Sequence, residues 1–324
     1  MKLSFLGDVV LDKAYTVNLP LRDFIFNLEH PISCEGVPAK NKVNFCSDRS
    51  YIKETFGKFP IAVNLANNHI MDYGDTAFIK TIDFLTKNNI AYFGAGNEKN
   101  NFNNPAIVHI EDKKIALLGY SCVTTNAVFG KKGAYGSALL DNNKVLYDIE
   151  RCLTKVDYIV INLHWGNEDF RYPKPKDVQQ ARTFVDAGAD LIIGHHAHVI
   201  QSFEIYKEKN IFYGLGHFIF PYKDRPAYHD GEKFQKVHSP IENKANREGL
   251  VVDLDENFNV TYSTILFDGM CVIPNKAHVP RWIPTSQKHY NIYLRFFQKR
   301  RMLKLFIQNP RIPSIDSIKH FFRL

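Results

Sequence analysis

The stretch GADLIIGHHAHVIQ, residues 188–201, decides how this chain is read. Its Leu191-Ile192-Ile193 run has the form of a strand buried on both faces, since aliphatic residues bounded by small ones leave no polar side for water. Three imidazoles follow within four positions: His195, His196 and His198. A strand core has no use for that much titratable nitrogen, whereas a metal ion does. Residues two apart on extended backbone project to one side, so His196 and His198 are the pair expected to converge.

The same form recurs elsewhere. LSFLGD (3–8), FIFNLE (24–29), IAVNLANNH (61–69) and YIVINLHWG (158–166) each open on apolar residues and end on polar ones, and KIALLGYS (114–121) adds another strand. DTAFIKTIDFLTKNN (75–89) has apolar residues near a 3.6 spacing, and KDVQQARTFVDAG (176–188) stops at a glycine, so both are predicted helices. Strands alternating with helices indicate an α/β domain. Residues 249–268 read as a hairpin, 221–248 as a long polar loop of the lid or mobile kind, and everything after about residue 270 as an appendage.

Open α/β sheets carry their functional residues at the carboxyl ends of the strands. Five such ends supply Asp8, Asn27 with Glu29, Asn68 with His69, His164, and His196 with His198. Carboxylate, amide oxygen and imidazole form a mixed N/O donor set that suits Mn, Fe, Zn or Mg better than a thiolate-preferring metal. There are donors enough for two divalent ions, the arrangement that holds both attacking and leaving oxygens in phosphoryl transfer. His30, His109, His238, His278, His289 and His320 read as ordinary surface histidines.

Composition narrows the classes. The 324 residues are 45% hydrophobic with a mean hydropathy of -0.26, as in a soluble globular chain with material for a core. The net charge of +7 is uneven: residues 281–324 hold ten Lys/Arg and one acidic residue, leaving 31 basic and 33 acidic residues elsewhere. A nearly neutral body offers no basic face for nucleic acid, and none is expected as a partner. The five cysteines, Cys34, Cys46, Cys122, Cys152 and Cys271, form no CxxC pair and read as reduced thiols of a reducing compartment. With no apolar stretch long enough for a signal peptide or anchor, a cytoplasmic location is expected.

GDVVL (7–11), NLEHPIS (27–33), NLANNHIMDYG (64–74), GAGN (94–97), LHWGNED (163–169), the opening stretch and YGLGHFIF (213–220) occur in the order found in the CapA family of capsule or poly-γ-glutamate synthesis proteins, which residues 1–268 resemble. That family is similar to calcineurin-like metallophosphoesterases. The resemblance implies a four-layer α/β/β/α sandwich over residues 1–268, with residues 269–324 as a basic, aromatic-rich helical extension. It implies two divalent ions, with Asp8 on the first, Glu29 bridging, Asn68 and His164 on the second, and His196 with His198 as the terminal ligand pair. His69 would meet the leaving group, while Asp72 and Glu168 would orient ligands or contact substrate. Asn27 and His195 would lie toward the substrate. His217 stands where the family usually has Asn, as a substrate contact or an additional ligand.

The function so implied is a dimetal hydrolase of capsule or exopolymer biosynthesis acting on a phosphoester, its substrate an anionic small molecule or polymer. An amide hydrolase on a γ-linked peptide and a non-catalytic assembly subunit are the alternatives. In HYNIYLRFFQKRRMLKLFIQ (289–308), Ile292, Phe296, Leu303, Phe306 and Ile307 share one helical face, interrupted by Lys299. Such a helix either packs on the body or engages a polymer-synthesis partner or the inner face of an anionic membrane.

Overall fold

The computed structural model describes residues 2–221, 225–237 and 244–308. Two sheets dominate it. The first is centred on Leu3–Val9, buried along its whole length, with Asp23–Leu28 parallel on one side and Glu248–Leu254 antiparallel on the other. It continues through Ala62–Asn64 to Ala91–Phe93 in one direction, and through Val260–Phe267 and Cys271–Asn275 to Thr16–Val17 in the other. The short strand His217–Ile219 also pairs with Leu3–Val9, in parallel. The second sheet runs Phe203–Tyr206, Lys209–Phe212, Leu191–His195, Tyr158–His164, Lys113–Ser121, Ala106–Ile110.

The period-2 alternation of side chains sorts the core into layers. Phe24 and Phe26 of the first sheet pack in a cluster with Ile52, Phe78 and Leu85 from the helices Ile52–Phe56 and Gly74–Lys87. Leu3, Phe5 and Ile25 belong to a second cluster, with Ile115, Leu117, Val160, Leu191 and Ile193 of the other sheet. Ala116, Leu118, Ile159, Ile161 and Ile192, the alternate residues of that sheet, form a third with Val145, Ile149, Val178, Ala181 and Phe184 of the helices Asn142–Leu153 and Pro175–Asp186. Helix, sheet, sheet and helix are thus stacked as a four-layer α/β/β/α sandwich. The helix Asn142–Leu153 starts where Asp141 accepts the Lys144 backbone N–H, and Pro175 opens the other, where its missing N–H has no intrahelical bond to lose.

Several local expectations change. The segment 221–248 is not one long loop: Arg225–His229 and Phe234–Val237 form a hairpin, extended by Lys42–Val43 into a three-stranded sheet. Its polar composition suited an exposed edge sheet as well as a loop, and sequence pattern alone could not tell them apart. Cys271–Asn275 carries the first sheet past residue 268, pairing with Val260–Phe267. Cys34 and Cys46 form a disulfide, contrary to the reduced reading, and remove its support for a reducing compartment. Their separation of 12 residues matches no motif; the chain's path, not its spacing, brings them together. His30 is buried rather than a surface residue, its Nε2 accepting the Leu11 backbone N–H at 3.1 Å. His109, His278 and His289 are exposed, while His238 and His320 lie outside the described residues.

The final helix, Gln287–Gln308, packs on the body by a face other than the apolar row expected. Tyr290 is buried with its ring 5.4 Å from that of Phe170, and its hydroxyl accepts from Asn167 Nδ2 at 2.7 Å. Phe297 lies 5.3 Å from Phe170, and Arg301 pairs with Asp169 at 3.0 Å. Positions 290, 297 and 301 fall on one stripe of the helix. Ile292, Phe296, Leu303, Phe306 and Ile307 are left exposed, Phe296 to 67%. Among the described residues, no helix is long and apolar enough to cross a membrane.

Candidate metal centre

Strand register brings the polar residues together. In the first sheet Asp8 stands opposite Asn27 on one side and His217 on the other, and Asn27 stands opposite Asn64. In the second, His164 stands opposite Ser121 and His195. Two rows of strand ends therefore face one another where the sheets meet. Close backbone approach makes this feasible: a Cβ on Gly7 would collide with the Gly216 carbonyl, and one on Gly194 with that of Tyr213.

Asp8 is fully buried and heavily engaged. Its Oδ1 accepts from Asn27 Nδ2 at 2.8 Å and lies 3.0 Å from His195 Nδ1. Its Oδ2 accepts the His196 backbone N–H at 3.4 Å and lies 3.5 Å from His198 Nδ1. Asn27 in turn accepts from Asn64 and Asn67 at 3.2 and 3.0 Å, and His195 Nε2 is 3.3 Å from Asn162 Oδ1. Asn27 and His195, expected toward the substrate, lie buried beside Asp8 and hydrogen-bonded to protein groups.

His196 and His198 do come together, but not by strand parity. The strand ends at His195, and both residues adopt left-handed backbone, φ 81° and 57°. Non-glycine residues adopt that conformation only where surrounding structure imposes it. Their rings lie 5.9 Å apart, and the His196 ring is 4.8 Å from that of His164. His164 Nε2 is 2.7 Å from Asn68 Oδ1 and 3.7 Å from Glu29 Oε1. Asp8, His198 and His217 each offer a donor atom, all within 4.8 Å of one another, as do Glu168, His196 and His198. Of all these residues only Glu168 is exposed.

Glu29 is the anomaly. It is fully buried, and neither carboxylate oxygen has a hydrogen-bond partner. Burial, reinforced by the charge of Asp8, pushes its carboxyl well above the usual range. Burial would also raise Asp8, but its bonds to His195 and His198 hold it well below. Burial depresses His196 and His217, each to about 3, with the charge on His198 adding to it. For His198 itself burial works downward, yet the bond to Asp8 and the charges of Glu29 and Glu168 push it up to about 10. The field of three carboxylates calls for positive charge at this spot. Carboxylate oxygens with empty lone pairs beside several buried imidazoles make the donor set a divalent cation takes, so the residues present fit the implied ions.

Beside this set, His69 Nδ1 donates to Asp72 Oδ2 at 2.6 Å. Burial lowers the His69 pKa, and Lys42 adds to that, against the pull of Asp72. Two residues that sequence reasoning missed hold Asp72. Lys42 Nζ bonds Asp72 Oδ1 at 2.6 Å and also the Asn68 carbonyl, and the Phe45 N–H donates to Asp72 Oδ2 at 2.8 Å while its ring lies 4.4 Å from that of His69. Both lie in the segment closed by the Cys34–Cys46 bridge, where no periodicity marked them.

Against known proteins, the family described as bacterial capsule synthesis protein PGA_cap matches residues 21–222, more than half of the chain. The chain belongs to the PGA_cap family. The match takes in Glu29, Asn68, His164, His196, His198 and His217 and begins after Asp8. Within the family, the capsule biosynthesis protein CapA of Bacillus anthracis is 32% identical over 202 residues, 60% of this chain and 49% of that protein. The PGA biosynthesis protein CapA of Bacillus subtilis (strain 168) is 30% identical over 197 residues, 60% and 52%. This PGA_cap chain thus spans about half the length of those curated relatives. A 5'-nucleotidase precursor from Thermus thermophilus is similar in structure at a TM-score of 0.37 and 16% identity, over 77% of this chain and 43% of that one. That likeness is too loose to bear on function.

Proposed function

We propose that this PGA_cap protein is a dimetal hydrolase of capsule or exopolymer biosynthesis that cleaves a phosphoester of an anionic small molecule or polymer. The observation that carries the reading is Glu29: a buried carboxylate with no donor on either oxygen, flanked by Asp8, His164 and His198. Leaving such a charge uncompensated costs on the order of several kcal/mol, and coordination removes that cost.

Asp8, Glu29, Asn68, His164, His196 and His198 would hold two divalent ions of the Mn, Fe, Zn or Mg class. When bound, these ions would supply the Lewis acidity that activates water and draws charge off the phosphoryl oxygens. Asn27 and His195 orient Asp8 by occupying its Oδ1. Asp72 takes the Nδ1 hydrogen of His69, so the proton that His69 exchanges with the leaving oxygen is the one at Nε2. Lys42 and the Phe45 N–H fix Asp72 for that task. Glu168, the exposed member of the set, would meet substrate.

His69→Ala is expected to lower turnover of a phosphodiester by roughly 10²-fold or more while metal content stays unchanged. Full activity of that variant on every substrate tried would remove the assigned role. Parallel assays on a phosphodiester and a γ-glutamyl peptide separate phosphoester from amide hydrolysis. A second reading, a non-catalytic assembly subunit, draws on the row Ile292, Phe296, Leu303, Phe306 and Ile307, exposed among the described residues. It would lead if the metal-loaded protein turned over neither class of substrate.

A further inference from the structure

We propose that His217 is a direct ligand of the ion held by Asp8 and His198, giving this chain an Asp–His–His set at that position; the inference rests on the dimetal reading above. Three observations converge. First, parallel pairing of His217–Ile219 with Leu3–Val9 sets His217 directly opposite Asp8, so the sheet itself delivers the ring to the site. Second, Nδ1 lies 2.8 Å from the Asn246 carbonyl oxygen, which can only accept, so Nδ1 carries the hydrogen. The lone pair of the neutral ring is then at Nε2. A hydrogen bond from one ring nitrogen to a backbone carbonyl is how proteins fix the tautomer and orientation of a metal-binding histidine. Third, Nε2 points into the cluster: it is 2.7 Å from His198 Nδ1, and the donor atoms of Asp8, His198 and His217 lie within 4.8 Å of one another.

Packing holds the ring in that pose. Phe220 stacks on His217 at 4.1 Å with 12° between the planes, and the same phenyl lies 5.2 Å from the His198 ring. One aromatic ring therefore packs against both imidazoles. Two nitrogens and one carboxylate make a donor set for borderline ions such as Zn, Fe, Co or Mn, whereas Mg prefers oxygen and retains its water. His217 thereby acts as a specificity-determining residue for the metal as well as a ligand.

The experiment strips the full chain with chelator and titrates it with Co(II), reading bound metal by plasma mass spectrometry and ligand geometry from visible absorption. Wild type is compared with His217→Ala, His217→Asn and the exposed control His109→Ala. The expected result is two ions on wild type and control, with one site weakened at least about 10-fold and the cobalt spectrum altered in both His217 variants, whose metal-free melting stays near that of wild type. His217→Asn keeps a polar group of similar reach and carries the test where the alanine variant does not fold. Two ions of unchanged affinity and an unchanged spectrum in the His217 variants would overturn the assignment and leave the dimetal reading standing. No uptake by wild type would overturn both.

Discussion

At Glu29 the chain buries a carboxyl beside Asp8, His164 and His198 and supplies it with no hydrogen-bond donor, an arrangement that a cation beside it would complete. Glu29→Gln should therefore matter with metal present and little without it. In the chelated protein burial already favours the neutral acid, so the neutral amide should change stability little. With metal added, wild type should gain stability by mass action while the variant gains little. Thermal melts of both proteins across a metal titration check this; parallel gains in the two would contradict it. At this scale the candidate residues were legible as a group, since Asp8, Glu29, Asn68, His164, His196 and His198 lie at or a few residues beyond strand ends. What was not legible was how His196 and His198 meet, because left-handed backbone after a strand leaves no periodic trace. Lys42 and Phe45 were invisible for a related reason: they reach Asp72 from a segment whose course is set by tertiary structure.

The helix Pro175–Asp186 carries its own strained group near its start. Asp177 is buried with Oδ2 unpartnered, and burial pushes its carboxyl up to about 6 against the opposing pull of Lys174. A carboxyl raised in the folded state contributes stability that is full below the unfolded value of 3.8 and lost as pH rises through about 6. Asp177→Asn should remove that dependence and leave the variant more stable at pH 7 by up to about 3 kcal/mol. Urea denaturation at pH 4 and pH 7 measures it, and identical pH dependence in the two proteins would refute it. The segment between Cys34 and Cys46 gives a second test at this scale. Closing a loop of that size stabilises by about 3 kcal/mol, so reduction, or Cys34→Ser with Cys46→Ser, should lower denaturant stability by about 2–4 kcal/mol. Unchanged stability under reductant would show that packing alone holds the loop. The helices Gly74–Lys87 and Pro175–Asp186 and the hairpin were readable from periodicity and turn signals, whereas the helix Asn142–Leu153 and the small sheet Lys42–Val43, Arg225–His229, Phe234–Val237 were not, the sheet being too short and polar to show alternation.

Over the whole molecule, two sheets pressed face to face place their strand ends in two opposed rows, and the candidate centre lies between them. Alternating strands and helices announced the α/β class, but the pairing of two sheets came from the family resemblance, because a fully buried strand reads the same in one sheet or two. The final helix shows the limit of pattern in another way. Its most regular apolar row faces outward, and the stripe that holds it, Tyr290, Phe297 and Arg301, is too mixed in chemistry to read as apolar. The proposed hydrolase depends on metal. The protein should be purified without chelator or added metal and its metal content measured by plasma mass spectrometry, beside an Asp8→Ala/His198→Ala variant. Two transition ions per chain, lost in the variant, is the result predicted. Substoichiometric metal in wild type, with none taken up on reconstitution, would contradict the dimetal hydrolase.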